Sequence, residues 1–593
     1  MQAVQAAGVE ITSICGGEGW CGKCRVQLVL GELTSATGLE DEVLSEEEIE
    51  NGWRLACQSQ PLTHVKIDIP PVSLTSLQRV RIQGSEMERI QGSEWDEGGF
   101  ELDPVVIPIE LLMEPPTLAD QISDVSRLKT ALMERGVRSP QVKFPLLISL
   151  SSTLRIQAWQ VRLALRGGEV VGVFLPETPL LGLAVDIGTT KLAAYLVNLE
   201  NGRTLASAGV TNPQLAYGED VISRIAYANQ NETNRRVLQT RLVERMNELV
   251  DELCLQVGVV KEQIIEAVMV GNTAMHHLFL GLPVRQLGEA PYIAAVSESV
   301  EVRAQDLGLH VAPGAYVYMP PNIAGYIGSD HVSTLLATEI PGKTNHHGSV
   351  VMALDVGTNT EISLAAAGRI LSCSCASGPA FEGAHIHDGM RAASGAIEQV
   401  QMVTGGIHVQ TIGGGLPVGI CGSGILDAIA LFLDVGIIDS TGRLQKDAPG
   451  VRIGKHGGYF ILVPASETGH GREIAITRKD IHEIQLAKGA IRTGINILLL
   501  EAGISYEDID EFIVAGAFGS YLDVGNAVNI GMFPPLRLKR FKQVGNAAGI
   551  GAKQLLSSVT RRREAPEIIK RVEYVELTTH PLFTEIYIKA LLF

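Results

Sequence analysis

No run of about 18 predominantly apolar, uncharged residues occurs anywhere in this 593-residue chain, which excludes a membrane-spanning helix. The opening, MQAVQAAGVEITSI, lacks a basic leader, and Glu10 interrupts its short apolar stretch. No targeting segment is read there, and the expected location is the cytoplasm. Basic charge is in deficit, 48 Lys and Arg against 66 Asp and Glu, for a net charge of −18. Such a surface repels phosphate backbones, so nucleic-acid binding is excluded as a general function. The GxxxxGK[ST] loop is absent, which closes that route to a nucleotide. With 46% apolar and 19% charged residues the chain buries large cores, and its length suits about four domains.

Cysteine is sparse and uneven. Of 8 cysteines, Cys15, Cys21, Cys24 and Cys57 fall in one N-terminal stretch, while Cys254, Cys373, Cys375 and Cys421 are scattered. In a large chain without secretion signals such a cluster reads as metal or redox chemistry before disulfides. The spacing is C-x5-C-x2-C with a distant fourth cysteine, and the loop CGGEGWCGKC is rich in glycine. Glycine permits positive φ and lets backbone N–H groups approach inorganic sulfide. Four thiolates converging on two irons form a [2Fe–2S] cluster. Plant-type ferredoxins use C-x4-C-x2-C, one residue shorter. Zinc is the competing reading of four cysteines, but zinc ribbons usually present two C-x2-C knuckles and only one exists here.

Residues 1–75 therefore form a ferredoxin-like unit ending in the strand-like HVKIDIP. A β-grasp ferredoxin begins with a hairpin ahead of the helix that MQAVQAAGV represents, and this sequence has none. The expectation is a coding start further upstream, or a shortened sheet with an open edge. The acidic run 38–52 reads as a helix with a solvated face leading towards Cys57. Residues 76–100, where RIQGSE occurs twice, read as a linker. Residues 101–178 form a small α+β module with the helix LADQISDVSRLKTALMERG and the strand-like runs FPLLISL, IQAWQVRLAL and EVVGVFL.

From residue 179 the pattern is α/β, and it repeats itself. LAVDIGTTKLAAYLV (183–197) matches MALDVGTNTEISLAA (352–366), each reading strand, Asp-x-Gly-Thr turn, strand. Glycine and hydroxyl residues in such a turn offer donors to phosphate oxygens, and the Asp suits a Mg²⁺ water or an attacking water. One such turn is usually just a hairpin. Two in duplicated context, followed by the Gly-rich IVAGAFGSYLD, are another matter.

This ordered set resembles the phosphate-1, phosphate-2 and adenosine motifs of the actin, heat-shock-chaperone and sugar-kinase superfamily. The resemblance implies an ATPase of two lobes, about 179–348 and 349–593, each with a ribonuclease H-like fold. It casts Asp186 and Asp355 as catalytic, with Gly188, Thr189, Thr190, Gly357, Thr358, Asn359, Gly516 and Gly519 holding ATP and Mg²⁺. The cysteine unit with SGPAFEGA (377–384), GICGSGILDAI (419–429), QLAKGAIRTGI (485–495) and VAGAFGSYLD (514–523) is similar to the reductive activators of corrinoid proteins. That resemblance implies ATP-dependent transfer of one electron from the [2Fe–2S] cluster to Co(II), giving Co(I) for a methyltransferase system. It also implies a corrinoid protein as partner and a low-potential donor upstream, and a homodimer is compatible with it. Plant-type clusters sit near about −400 mV, and each 100 mV uphill costs about 2.3 kcal/mol per electron, which gives ATP its role. Two alternatives stay open: a low-potential electron donor to another enzyme, and a redox-sensing nucleotide-binding protein without turnover. Cys373 and Cys375 read as buried thiols, and His276, His277, His385 and His387 as surface or satisfied core residues. HDGMRAASGAIE (387–398) resembles a family segment without an assigned role.

Overall fold

The computed structural model describes residues 3–4, 11, 17, 19, 22, 24–69, 101–343, 348–404, 406–454, 457–516, 518–519 and 521–593. Cys15, Cys21, most of the opening helix and the linker lie outside the described residues. No helix among the described residues is long and apolar enough to cross a membrane.

In the cysteine unit Arg25–Leu30 is the central strand, flanked antiparallel by Trp53–Leu55 and Lys66–Asp68. A small core of Ile11, Cys24, Val26, Leu44, Leu55 and Ala56 lies against it. The acidic run is not one helix. It forms Gly38–Val43 and Glu46–Glu50, broken where Leu44 turns into the core and Ser45 starts a new cap. Ser45 Oγ accepts from Glu48 N at 3.2 Å, and Glu48 Oε2 accepts from Ser45 N at 2.9 Å, so the break satisfies its own exposed amides. Nor is the whole run solvated, because Glu40 is fully buried on Arg54.

Residues 101–178 build a four-stranded sheet in the order Val106–Leu112, Gln160–Arg166, Glu169–Phe174, Gln141–Val142. The strand-like FPLLISL is helical and opens the helix Phe144–Ile156. Pro145 is tolerated in the first turn, and Leu146, Leu150 and Leu154 bury one stripe at a spacing of four. That period shows only across all 13 residues of the helix, so the apolar opening by itself mimics a strand. The module is fixed to the next domain by ion pairs: Arg166 reaches Glu266 at 3.1 Å and Glu301 at 2.6 Å, and Arg303 reaches Glu169 at 2.5 Å.

The remainder is two lobes of one topology. In the first, Leu181–Ile187, Lys191–Asn198 and Thr204–Thr211 run antiparallel in succession, and Ile264–Gly271 then Tyr316–Met319 add parallel on the other side of Leu181–Ile187. In the second, Val351–Val356, Thr360–Ala366 and Arg369–Cys375 repeat the meander, and Glu511–Ala515 then Phe541–Gly545 add parallel in the same way. This is the duplication read from the two Asp-x-Gly-Thr segments, each a hairpin between its first two strands. The helices Ser329–Ala337 and Ala547–Ser557 cross closely between the lobes. A Cβ on Gly551 would stand 2.1 Å from the Ser333 carbonyl, so only glycine permits that crossing.

Candidate functional site

The two Asp-x-Gly-Thr turns, far apart in sequence, close on one another. Thr190 Oγ1 lies 3.3 Å from Thr358 Oγ1, and Glu382 Oε1 accepts from both, at 3.0 Å and 2.6 Å. Each turn is braced from behind. In the first, Asn212 donates from Nδ2 to the Gly188 carbonyl at 2.8 Å and from its backbone to the Thr190 carbonyl at 2.9 Å. Asn272 Nδ2 donates to Thr189 Oγ1 at 3.0 Å. In the second, Ser377 Oγ reaches the carbonyls of Gly357 and Thr358 at 3.1 and 3.2 Å. These bonds fix the backbone of both turns from behind, and the turns meet at the lobe boundary through Thr190, Thr358 and Glu382.

Carboxylates gather beside it. Asp186 Oδ2 accepts from Asn546 Nδ2 at 3.0 Å, and Asp355 Oδ2 from Thr334 Oγ1 at 2.9 Å. Asp330 joins them at the start of Ser329–Ala337. Burial and the Asp355 charge push Asp186 up to about 7. Burial, with Asp186 and Asp355, raises Asp330 well above the carboxylate range, and burial raises Asp355. Like charges crowded in low dielectric hold protons until a cation arrives. Among the described residues no three such groups converge for direct ligation.

Positive charge lies on the other side. Arg224 is fully buried and donates to the carbonyls of Gly218, at 2.8 Å, and Thr189, at 2.5 Å. Burial pushes its guanidinium down to about 9, against the raising influence of the Asp220 and Glu382 charges. Lys191, pushed down by burial, lies within electrostatic reach of Glu382 and Arg391. Arg391 comes from the segment 387–398, whose Met390 carbonyl packs so tightly on Gly383 that a Cβ there would stand 2.3 Å away. The third motif follows the same logic: Gly516, at φ +96°, has no room for a Cβ, which would meet Val356 O at 2.5 Å and Asp355 Oδ1 at 2.8 Å. The Gly519 carbonyl accepts from Gln543 Nε2 at 2.7 Å, and Phe518 stacks on Phe381 at 4.9 Å between centroids.

In the cysteine unit Cys24 Sγ and Cys57 Sγ are 3.3 Å apart. Two thiolates on one tetrahedral metal, with bonds of about 2.3 Å, stand about 3.7 Å apart, so the pair suits a shared iron with little movement. Ala56 N donates to the Cys24 carbonyl at 2.8 Å, which ties the two cysteine segments together. Gly17, Gly19 and Gly22 all have positive φ, +100°, +89° and +68°, the conformation a loop wrapped on sulfide needs. The residues present fit a cluster. Cys15 and Cys21 fall outside the described residues.

Sequence reasoning missed Asp330, Glu382, Arg224, Asn212 and Asn546, because nothing local marks them. Of these only Glu382 sat inside a segment already noticed, 377–384, as Arg391, also missed, did in 387–398. His277 is a satisfied core residue, with Nδ1 against the Thr273 carbonyl at 2.7 Å and Nε2 accepting from Ala295 N at 3.0 Å. His276 is buried beside it. His385 stands between the lobes, 3.5 Å from Glu219 and 3.8 Å from Glu483, and its contact with Glu219 pushes its pKa up. Cys373 and Cys375 are buried thiols in the strand Arg369–Cys375.

Comparisons with known proteins agree along the whole chain. The family described as the C-terminal domain of RACo, the ASKHA domain, matches residues 349–593, the RACo middle region 181–343, and the RACo linker region 96–178. A 2Fe-2S iron-sulfur cluster binding domain matches residues 1–62. The corrinoid activation enzyme RamQ of Eubacterium limosum is 31% identical over 603 residues, covering 99% of this chain and 94% of that protein. The [Co(II) methylated amine-specific corrinoid protein] reductase of Methanosarcina barkeri is 27% identical over 444 residues, covering 69% and 76%. A solved structure described as a reductive activator for corrinoid, iron-sulfur protein superposes with a TM-score of 0.74 at 34% identity, covering 100% of this chain and 95% of that one.

Proposed function

The chain belongs to the RACo-like reductive activators of corrinoid proteins, and from that premise we propose how its residues divide the work. Its function is ATP-dependent reductive activation of a corrinoid protein by electron transfer. The ferredoxin-like unit, residues 1–75, carries the electron, and the lobes 179–348 and 349–593 carry ATP. Cys15, Cys21, Cys24 and Cys57 would hold the cluster, which supplies one low-potential electron. A separate low-potential donor refills it. The working location in this reading is the cytoplasm, and a homodimer is compatible with it.

In the lobes, Gly188, Thr189 and Thr190 from one turn and Gly357, Thr358 and Asn359 from the other would offer their donors to the phosphates of ATP. The observation that supports this most directly is the approach of Thr190 and Thr358 to 3.3 Å over a shared Glu382. Both hydroxyls are held on that carboxylate until phosphate oxygens compete for them. Nucleotide entry therefore has to part the lobes about the glycine-lined helix crossing, then draw them back. Asp186 and Asp355, with Asp330 beside them, would hold a Mg²⁺ through its water ligands, and the ion would supply charge neutralisation for phosphoryl transfer. Gly516 and Gly519 leave space for the adenosine. Lobe movement is the means by which ATP biases the bound partner, because a ligand shifts an equilibrium by its differential affinity for the two states.

The test is cobalt reduction followed spectroscopically under anaerobic conditions, with a corrinoid partner, with and without ATP. Asp355→Ala should still accept an electron from a strong reductant and fail to produce Co(I). Cysteine-ligand variants should bind nucleotide and fail to deliver the electron. Co(I) formation at equal rates without ATP, or in Asp355→Ala, would overturn the assignment of the lobes as driver.

A further inference from the structure

Gln58 follows the fourth cysteine and is half-buried. Its Nε2 donates to the Gly17 carbonyl at 2.8 Å and lies 3.6 Å from Cys57 Sγ. The carboxamide has two N–H groups and two acceptors in range, the Gly17 carbonyl and Cys57 Sγ. Its orientation is not arbitrary. Turned over, its oxygen would face the Gly17 carbonyl oxygen at 2.8 Å, so nitrogen and not oxygen is presented to the sulfur. The seat is also built for it. Gly19 stands where any Cβ would fall 2.8 Å from Gln58 Nε2 and 2.9 Å from its Cδ, at a φ of +89°. A glycine at 19 is therefore needed twice, for its backbone angle and for the space Gln58 occupies.

We infer that Gln58 sets the reduction potential of the cluster by donating a side-chain N–H to the Cys57 ligand sulfur. The inference rests on the assignment of Cys15, Cys21, Cys24 and Cys57 as cluster ligands. A hydrogen bond to a ligating thiolate withdraws electron density from the sulfur, and it stabilises the reduced cluster, which carries the extra negative charge, more than the oxidised one. The potential is raised by it. Cys24 and Cys57 are the close pair, so the donor would act on an iron held by those two sulfurs. Its physical value to this protein is a compromise. The cluster stays within reach of the upstream donor, while the remaining uphill step to cobalt is left to ATP.

The experiment is an anaerobic redox titration of the full chain, following the signal of the reduced cluster by electron paramagnetic resonance, with iron counted in every sample. Gln58→Met keeps the length and removes the donor, and Gln58→Glu replaces the donor with a carboxylate facing the sulfur. Both should keep the wild-type iron content and titrate at more negative potentials, Glu further than Met, with the Glu variant's potential rising again at lower pH. Wild-type protein labelled with ¹⁵N at glutamine side chains should show a nitrogen coupling to the reduced cluster that is lost in Gln58→Glu. An unchanged potential at full iron content overturns the inference. So does absence of that coupling in labelled wild type, which decides the matter even if both variants lose iron. Wild-type protein without iron would instead overturn the cluster assignment itself.

Discussion

Replacing Glu40 by Gln should cost the ferredoxin-like unit about 3 kcal/mol, a large share of the stability of a domain this small. The Glu40 carboxylate is fully buried and accepts six bonds: Arg54 Nε at 3.0 Å and Nη2 at 2.8 Å, Leu55 N at 2.8 Å, Thr37 N at 2.9 Å, Thr37 Oγ1 at 3.2 Å and Ser59 Oγ at 3.2 Å. Burial alone would raise its pKa. The Arg54 contact and the Leu55 and Thr37 amides overcome that and bring it from 4.5 down to about 2. Through linkage, that drop corresponds to about 3 kcal/mol at neutral pH. Breaking a buried ion pair by removing one partner is independently worth about 3–5 kcal/mol, so the two routes agree. A depressed carboxylate contributes stability above its unfolded value, and the contribution is lost as pH falls from about 4.5 towards 2; at pH 7 all of it is present. The consequence falls on the cluster, because Leu55 and Ala56 lead directly to Cys57. The assay is urea titration of the full-length protein at pH 7, following the visible absorbance of the cluster. With a slope of about 1 kcal/mol/M for a unit of this size, Glu40→Gln should move the midpoint about 3 M lower. Nucleotide binding by the lobes should not change. A midpoint within about 0.5 M of wild type would refute the claim that this ion pair holds the Cys57 segment.

Four further outcomes are expected. Cys57→Ser should lose most of the visible cluster absorbance and half or more of the iron, and stoichiometric zinc in iron-replete wild type would contradict the iron assignment. Mg–ATP affinity should rise about tenfold per pH unit up to about pH 7 and then level, because Asp186 must release a proton to meet the cation. The raised Asp186 carboxyl also makes nucleotide-free protein less stable as pH rises from about 4 towards 7, so its melting temperature should fall from pH 5 to 7 and level above that unless Mg–ATP is present; flat profiles for both would refute this. Arg224→Lys should weaken ATP binding roughly tenfold, about 1.4 kcal/mol, by loosening the Thr189 carbonyl, as measured by calorimetry. Glu382→Gln should leave the fold intact and, by loosening the Thr190–Thr358 contact, speed nucleotide entry in stopped-flow binding; an unaltered rate would count against the closed-gate reading.

What could be read from the chain alone was whatever the backbone encodes locally. The cysteine loop announces itself because a metal site on one short segment needs donors at fixed spacing and glycine between them. The two Asp-x-Gly-Thr turns were legible because each is a hairpin, made by the residues of the turn and the strands on either side of it, and because duplication wrote it twice. The same locality misled in places. FPLLISL looks like a strand until the leucine stripe is followed to Leu154, and the acidic run looks solvated until Arg54 arrives on another strand to bury Glu40.

Only the tertiary structure decided which of these pieces face one another. Thr190 and Thr358 are 168 residues apart, and Asn546 reaches Asp186 across 360. No spacing rule spans such distances. Asp330 has no motif around it, and what makes it notable is the company of Asp186 and Asp355, which holds its proton on. Arg224 is an ordinary helical residue in sequence; the fold buries its charge behind the Thr189 carbonyl. Gln58 was invisible for the same reason, since a carboxamide acquires meaning only from the carbonyl that orients it and the sulfur it then faces. The sequence by itself determined the chemistry each segment could offer, because that chemistry resides in side chains and local turns. The fold decided which chemistries share a site, because charge, burial and hydrogen bonding act through space and not along the chain.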